Sequence, residues 1–295
     1  MNQFLERYEK LGEMFDPKSI VVPHALRVNT LKIDDSSLKK RLNAELEKIP
    51  FLSHGYYFKS SFTVGAMPEH FLGLIYIQEA ASQLPAEVLD PRPGELVLDM
   101  AAAPGSKTTQ MAAMMENKGV LVALDASNPR LPALKNNLER CGVSNCLVYK
   151  KDAAFAEDFT DELGREFDKV LLDAPCSGNF ATDKDWFAKR KVSDLKEMVK
   201  VQRKLIDAGL AVLKKGGVMV YSTCSLEPEE NEENIDWLLS SYEDVELEKI
   251  GVHVGEPGLT GVFGRKLNPN VALCKRLWPH KTGTQGFFIA KIRKL

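Results

Sequence analysis

The sequence predicts an α/β fold: a doubly wound, mostly parallel sheet of seven strands with a small α/β appendage at the N-terminus. Three observations predict it. Apolar, β-branched segments alternate with amphipathic helical segments from about residue 95 onward. Those strand segments are apolar on both faces, as strands covered by helices on either side must be. Their carboxyl ends carry acidic and small residues, where open sheets of this kind bind ligands. With 295 residues, 44% hydrophobic and 27% charged, the chain can bury one sizeable core.

Residues 1–75 are expected to form the appendage: a short helix, a strand at ALRVNTLKI, an amphipathic helix from Ser36 to about Lys48 and a strand at GYYFK. Residues 76–295 form the main domain. A helix at QEAASQLPAEVL and the turn DPRPG lead into strand ELVLDM. Helix SKTTQMAAMM, strand GVLVALD, helix PALKNNLERC and strand NCLVYK follow, then strand DKVLLDAP, helix VSDLKEMVKVQRKLIDAGLAVL and strand GGVMVYSTC. EENIDWLLSSY reads as a further helix. VELEKI and TQGFFIAKIRK read as strands, the last antiparallel as in a hairpin.

Composition excludes several classes. No run of about 18 apolar residues occurs, and MNQFLERYEKLGEMF is too charged for a secretory signal, so a soluble, cytoplasmic protein with no membrane partner is expected. The default oligomeric state is a monomer. Cys141, Cys146, Cys176, Cys224 and Cys274 form no CxxC pair, which argues against disulfides and a structural metal. A net charge of −2 does not announce a nucleic-acid binder. Such binding has to rest on local clusters such as Lys39, Lys40 and Arg41 or Lys189, Arg190 and Lys191.

Asp99, Asp125 and Asp152 stand at or just after the ends of three successive strands. Asp125 follows Asp99 by 26 residues, near the interval of roughly 20 at which nucleotide-binding units place a ribose-binding carboxylate. Asp152 is then the candidate acceptor for an adenine amino group. The turn after Asp99, Met-Ala-Ala-Ala-Pro-Gly-Ser-Lys, lacks both the glycine pattern of dinucleotide sites and the spacing of nucleoside triphosphate loops. A small-residue turn into a helix N-terminus suits a ligand with a carboxylate and no phosphates, namely the methionine portion of S-adenosylmethionine.

Cys176 in LLDAPCSG and Cys224 in YSTCS both follow apolar strands, hence at the rim that carries the aspartates. Cys141, Cys146 and Cys274 read as inert, buried thiols. C5 of cytosine is a poor nucleophile until a thiolate adds at C6, and a cysteine supplies that covalent route. Lys107 or a helix N-terminus lowers such a thiol's pKa. Asp173 is placed to bind the N3 and N4 edge of cytosine.

Taken together, DMAAAPGSKTTQ, LLDAPCSG, YSTCSLEPEENE, RVNTLK, YIQEAAS and RLWPHKTGTQGFFIAKI resemble the NOL/NOP/SUN-type RNA cytosine-5 methyltransferases over almost the whole chain. The resemblance implies a Rossmann-like class I methyltransferase domain with Cys224 as nucleophile and Cys176 as the helper in product release. It implies a cofactor shell of Ala101, Ala102, Ala103, Pro104, Gly105, Ser106 and Lys107 with Asp125, Arg130, Asp152 and Asp173. Many members have Cys where Ala101 stands and Gly where Ser106 stands. The PGSKTTQ form looks most like the tRNA-modifying branch, with ribosomal RNA as the alternative substrate. Arg27, Asn29 and Lys32 of RVNTLK are either RNA contacts or, for the first two, a lock between appendage and core. Competing readings are a DNA cytosine-5 methyltransferase and an RNA-binding assembly factor with a weak catalytic core.

Overall fold

Asn2 caps the first helix by accepting from the Phe4 amide, and helix α1 (Gln3–Lys10) buries Phe4 and Tyr8 on one face. The computed structural model describes residues 2–42, 44–59, 63–156 and 166–295. Helix α1 packs away from the appendage sheet. Phe4 and Tyr8 pack with Phe180, Trp186, Leu226 and Trp278 of the main domain.

The appendage itself is a four-stranded antiparallel sheet. Its strands are β1 (Ala25–Val28), β2 (Glu45–Lys48), β3 (Gly55–Lys59) and β4 (Ile75–Ile77), in the order β2-β3-β1-β4. Helix α2 (Asp35–Arg41), capped by Asp34, and the one-turn helix α3 (Pro68–Phe71) complete it. Leu26, Val28, Leu38, Tyr56 and Ile75 form its core. The helix expected to run on to Lys48 stops at Arg41, because Glu45–Lys48 pairs with β3 at the sheet edge. Backbone pairing there overrides a helix-favouring composition.

Helix α4 (Ala80–Leu89) leads into the central sheet. Its parallel part comprises β5 (Leu96–Asp99), β6 (Val120–Asp125), β7 (Cys146–Lys150), β8 (Phe167–Asp173) and β9 (Leu213–Thr223). Helices α5 (Ser106–Met114), α6 (Leu131–Cys141), α7 (Trp186–Lys189), α8 (Leu195–Val212) and α9 (Glu232–Ser241) lie between or after these strands.

Among the described residues the sheet has nine strands rather than the expected seven. Strands β10 (Val245–Leu247), β11 (Glu256–Pro257), β14 (Lys275–Leu277) and β15 (Phe287–Lys294) extend it antiparallel, beyond a separate hairpin of β12 (Gly261–Val262) and β13 (Arg265–Lys266). The one-turn helix α10 (Pro279–Thr282) joins β14 to β15. Strands of two or three residues are too short to show a period, which is why β11 and β14 escaped the sequence reading.

The order β11-β14-β15-β9-β8-β5-β6-β7 reverses its winding between β5 and β8. Helices α8 and α9 cover one face, with Leu205, Ile206 and Ile235 against Val170, Met219 and Tyr221. Helices α4 and α5 cover the other, with Leu84 and Met111 against Val97 and Val220. The crevice outside the carboxyl ends of β5 and β8 is therefore the ligand site this topology provides. Among the described residues no helix is long and apolar enough to cross a membrane.

Candidate active site

Each side of the crevice is set by a strand end. The β5–α5 turn runs through a cis Ala103–Pro104 peptide to Gly105, whose φ of 104° caps helix α5 in a conformation that favours glycine. Ala102 and Gly105 are buried behind the turn, Pro104 is exposed, and Ala101 and Ala103 face a cleft of about 600 Å³. The same cleft is lined by Asp125, Arg130, Asp152, Asp173, Cys176 and Cys224. Eight of the residues singled out from sequence thus converge on one space.

Asp125, at the end of β6, is buried and accepts from the amides of Ala103 (3.1 Å) and Ser127 (2.9 Å). Arg130 meets it at 3.2 Å and also donates to the Ala103 carbonyl, so the β5–α5 turn and the end of β6 are tied together. Asp152 is exposed and accepts from the Ala154 amide at 3.0 Å.

Asp99 departs from expectation. It is buried behind the turn, outside the cleft lining, and accepts from the Thr108 hydroxyl at 2.7 Å. Burial pushes its carboxyl up to about 6, and its work is to hold α5 on the end of β5.

The reactive edge lies where β8 and β9 end side by side. Asp173 accepts from Lys107 Nζ and from Ser222 Oγ, each at 2.7 Å. Lys107 is itself buried, so this pair is stronger than a surface ion pair. Ser106 precedes it at the start of α5, and its carbonyl accepts from Arg27 at 2.8 Å.

Parallel pairing of β8 with β9 sets Asp173 beside Ser222 and brings the turns that follow them together. The sulfurs of Cys176 and Cys224 are 3.0 Å apart, and both cysteines are free and half-buried. The hydrogen bond to Cys224 and burial both push the Cys176 thiol well above its ordinary value.

Several residues behind the cleft were missed from sequence. Asn179 donates to the carbonyls of Cys224 (2.6 Å) and Gly286 (3.1 Å). Val201, Lys204 and Leu205 bring helix α8 to the cleft wall. Ser177 and Ser225 each follow one of the two cysteines, and both hydrogen-bond Glu230. The repeated Cys-Ser pair was the signal available for these serines.

Arg27, Asn29 and Lys32 do not line the cleft. Buried Arg27 donates to Gln78, Thr109 (2.8 Å), Gln110 (3.3 Å) and the Ser106 carbonyl. Asn29 is buried and donates to the carbonyls of Gly73 (2.7 Å) and Cys141 (2.8 Å). Lys32 reaches the carbonyls of Leu72 (2.9 Å) and Arg140 (2.6 Å), at the carboxyl end of α6. All three tie the appendage to the core. Arg27→Ala should therefore cost about 1–3 kcal/mol of stability by stranding buried acceptors. Urea unfolding will show that loss, while the salt dependence of RNA binding stays as in the unsubstituted protein.

With this geometry in place, the relatives can be compared. Residues 86–293 match the family model described as 16S rRNA methyltransferase RsmB/F, and residues 1–80 match the N-terminal domain of 16S rRNA methyltransferase RsmF. The chain is 41% identical to the tRNA (cytosine(49)-C(5))-methyltransferase of Pyrococcus abyssi, covering 99% of this chain and 96% of that protein. It is 37% identical to the 25S rRNA (cytosine-C(5))-methyltransferase nop2 of Schizosaccharomyces pombe and 40% identical to ribosomal RNA small subunit methyltransferase F of Shewanella piezotolerans. It covers only 48% and 57% of those two proteins. A methyltransferase homolog protein from Pyrococcus horikoshii superimposes with a TM-score of 0.86 at 40% identity, with full coverage of both chains. Sequence, fold and the meeting of two motif cysteines at one sheet edge agree: the chain belongs to the RsmB/F family of RNA cytosine-C5 methyltransferases.

Proposed function

We propose that this protein transfers a methyl group from S-adenosylmethionine to C5 of a cytosine in tRNA through a covalent adduct between Cys224 and C6. The observation that carries the proposal is the contact of Cys176 and Cys224 inside the cleft that also holds Asp125 and Asp173. The preference for tRNA rests on the Pyrococcus abyssi relative, which this chain matches over nearly its whole length. It spans about half of the ribosomal RNA enzymes.

The residues present fit the cofactor. The cleft combines a buried carboxylate suited to ribose hydroxyls, Asp125, with a turn of small side chains at a helix N-terminus and an exposed Asp152. When bound, the cofactor supplies an electrophilic methyl group. Asp125 would hold the ribose, Asp152 would accept from the adenine, and the turn from Ala101 to Lys107 would receive the methionine portion.

The chain's own chemistry follows from the cysteine edge. The Cys224 thiolate adds to C6 and makes C5 nucleophilic. Asp173, fixed by Lys107 and Ser222, keeps acceptor capacity for the cytosine amino group. After transfer the C5 proton passes to solvent water acting as base, the electrons of that C–H bond re-form the double bond between C5 and C6, and the bond from C6 to sulfur breaks with its electron pair returning to Cys224, whose departure the adjacent Cys176 thiol assists.

Asp125→Ala is expected to weaken S-adenosylmethionine binding by about 1–3 kcal/mol, leaving buried hydroxyls unpaired. Calorimetry measures this, and unchanged affinity removes Asp125 from the site. Methyl transfer from labelled cofactor into tRNA, ribosomal RNA and duplex DNA tests the substrate. Labelling should be highest in tRNA, and RNA binding should weaken steeply with salt as phosphate contacts are lost. Preferential labelling of ribosomal RNA overturns the tRNA assignment.

A further inference from the structure

Two thiols in contact cannot both ionise readily, because each thiolate disfavours the other. The fold therefore has to settle which sulfur carries the charge. Glu230 is fully buried. Its Oε2 accepts from the Ser177 amide (3.1 Å) and from Gln202 Nε2 (2.7 Å). Its Oε1 accepts from Ser225 Oγ (2.8 Å) and from Ser177 Oγ. The Ser177 amide and Gln202 Nε2 can only donate, and the two serine hydroxyls also meet each other at 3.1 Å. Tyr221 Oη (2.5 Å) and Asn234 Nδ2 (3.1 Å) donate to its backbone carbonyl, so the residue itself is pinned.

Ser177 belongs to the Cys176 turn and Ser225 to the Cys224 turn, so one side chain grips both. Gln202 adds helix α8 to the same clasp and also donates to the Pro175 carbonyl at 2.9 Å. The grip is uneven, since two of the four bonds come from Ser177. We infer that Glu230 is a positioning residue: its carboxylate clasps the two cysteine turns together and sets its negative charge on the Cys176 side, leaving Cys224 as the thiolate. This rests on the reading of Cys224 as the nucleophile.

The surrounding charges do not provide that asymmetry. Asp173 from β8 is paired with Lys107 from α5, and Asp125 from β6 with Arg130. The buried Tyr221 hydroxyl of β9 is held protonated by its surroundings. Lys204 of α8 and Asp152 line the wider cleft. After the bond to Cys224, burial and the Coulombic effect of Cys224, the charge of Glu230 is a further cause holding the Cys176 thiol up.

The test is alkylation by iodoacetamide from about pH 6 to 9, followed at each cysteine by mass spectrometry on the full chain. The unsubstituted protein should react faster at Cys224 than at Cys176. Glu230→Gln keeps the size of the side chain and removes its charge. It should shrink that preference about tenfold, the effect of one pKa unit, and move the Cys176 profile to lower pH. Glu230→Asp, which restores the charge, should recover part of the preference, a rescue that a purely structural role does not require. Ser225→Ala, a milder change, should shift the preference in the same direction as Glu230→Gln. S-adenosylmethionine binding by each variant reports that it is folded. A folded Glu230→Gln protein with unchanged preference and pH profile overturns this inference alone. Faster alkylation of Cys176 in the unsubstituted protein overturns the choice of nucleophile, and the inference with it.

Discussion

Cys224→Ala is expected to abolish methyl transfer and to leave no protein–RNA adduct, because no thiolate remains to add to C6. Cys176→Ala should fail in the opposite way. Attack and transfer proceed, but elimination slows, so an adduct that resists denaturation accumulates when cofactor is present. Loss of that assistance should reduce turnover by about 10²–10⁴-fold, the usual contribution of a positioned proton-transfer group. The two sulfurs lie 3.0 Å apart, and that contact and burial push the Cys176 thiol well above its ordinary value. A denaturing gel of each variant mixed with substrate RNA reads both outcomes. An adduct in the Cys224 variant and none in the Cys176 variant reverses the roles, and full activity in both removes covalent catalysis by these residues.

Glu232→Ala should unfold the protein more readily by about 3–5 kcal/mol, the cost of leaving one member of a buried ion pair alone. Arg276 and Glu232 are both fully buried; Arg276 Nε donates to Glu232 Oε1 at 2.7 Å, and Nη2 donates to Oε2. Arg276 Nη1 also donates to the Leu226 carbonyl at 2.8 Å, two residues beyond Cys224. The pair thus fixes the segment that follows Cys224. From the other side Arg7 of α1 meets Glu227 at 3.1 Å and Glu229 at 2.6 Å, and Tyr8 donates to Glu227 at 2.8 Å. Activity should fall along with stability. Denaturant unfolding checks the magnitude, and a shift in midpoint with an unchanged slope identifies a loss of stability rather than a change of unfolded state. A midpoint like that of the unsubstituted protein contradicts the expectation.

Much of this was legible in the chain order. The alternation of buried strands and amphipathic helices from Leu96 to Thr223 gave the parallel sheet, because periodicity is a local property of sequence. Asp125, Asp173, Cys176 and Cys224 could be placed at the rim because a strand's end fixes which edge of the sheet its last residue occupies. The motifs supplied the chemistry. Local pattern failed where it was weak or was overridden: at Glu45–Lys48, drawn into an edge strand, and at the short strands β11 and β14.

What only the tertiary structure decided are the distances between segments far apart in sequence. Asp99, Asp125 and Asp152 look alike as strand-end carboxylates, yet one is buried behind the turn, one lines the cleft from a buried position and one lines it exposed. Arg27 reads as a cation available to phosphate until its guanidinium is seen buried between the two parts of the molecule. Glu230 is one acid among several in SLEPEENE, and only the side-by-side pairing of β8 and β9 gives it two serines to hold. Sequence fixes residue types and local periods, whereas burial and contact depend on strand order and long-range packing, which no window of neighbouring residues contains.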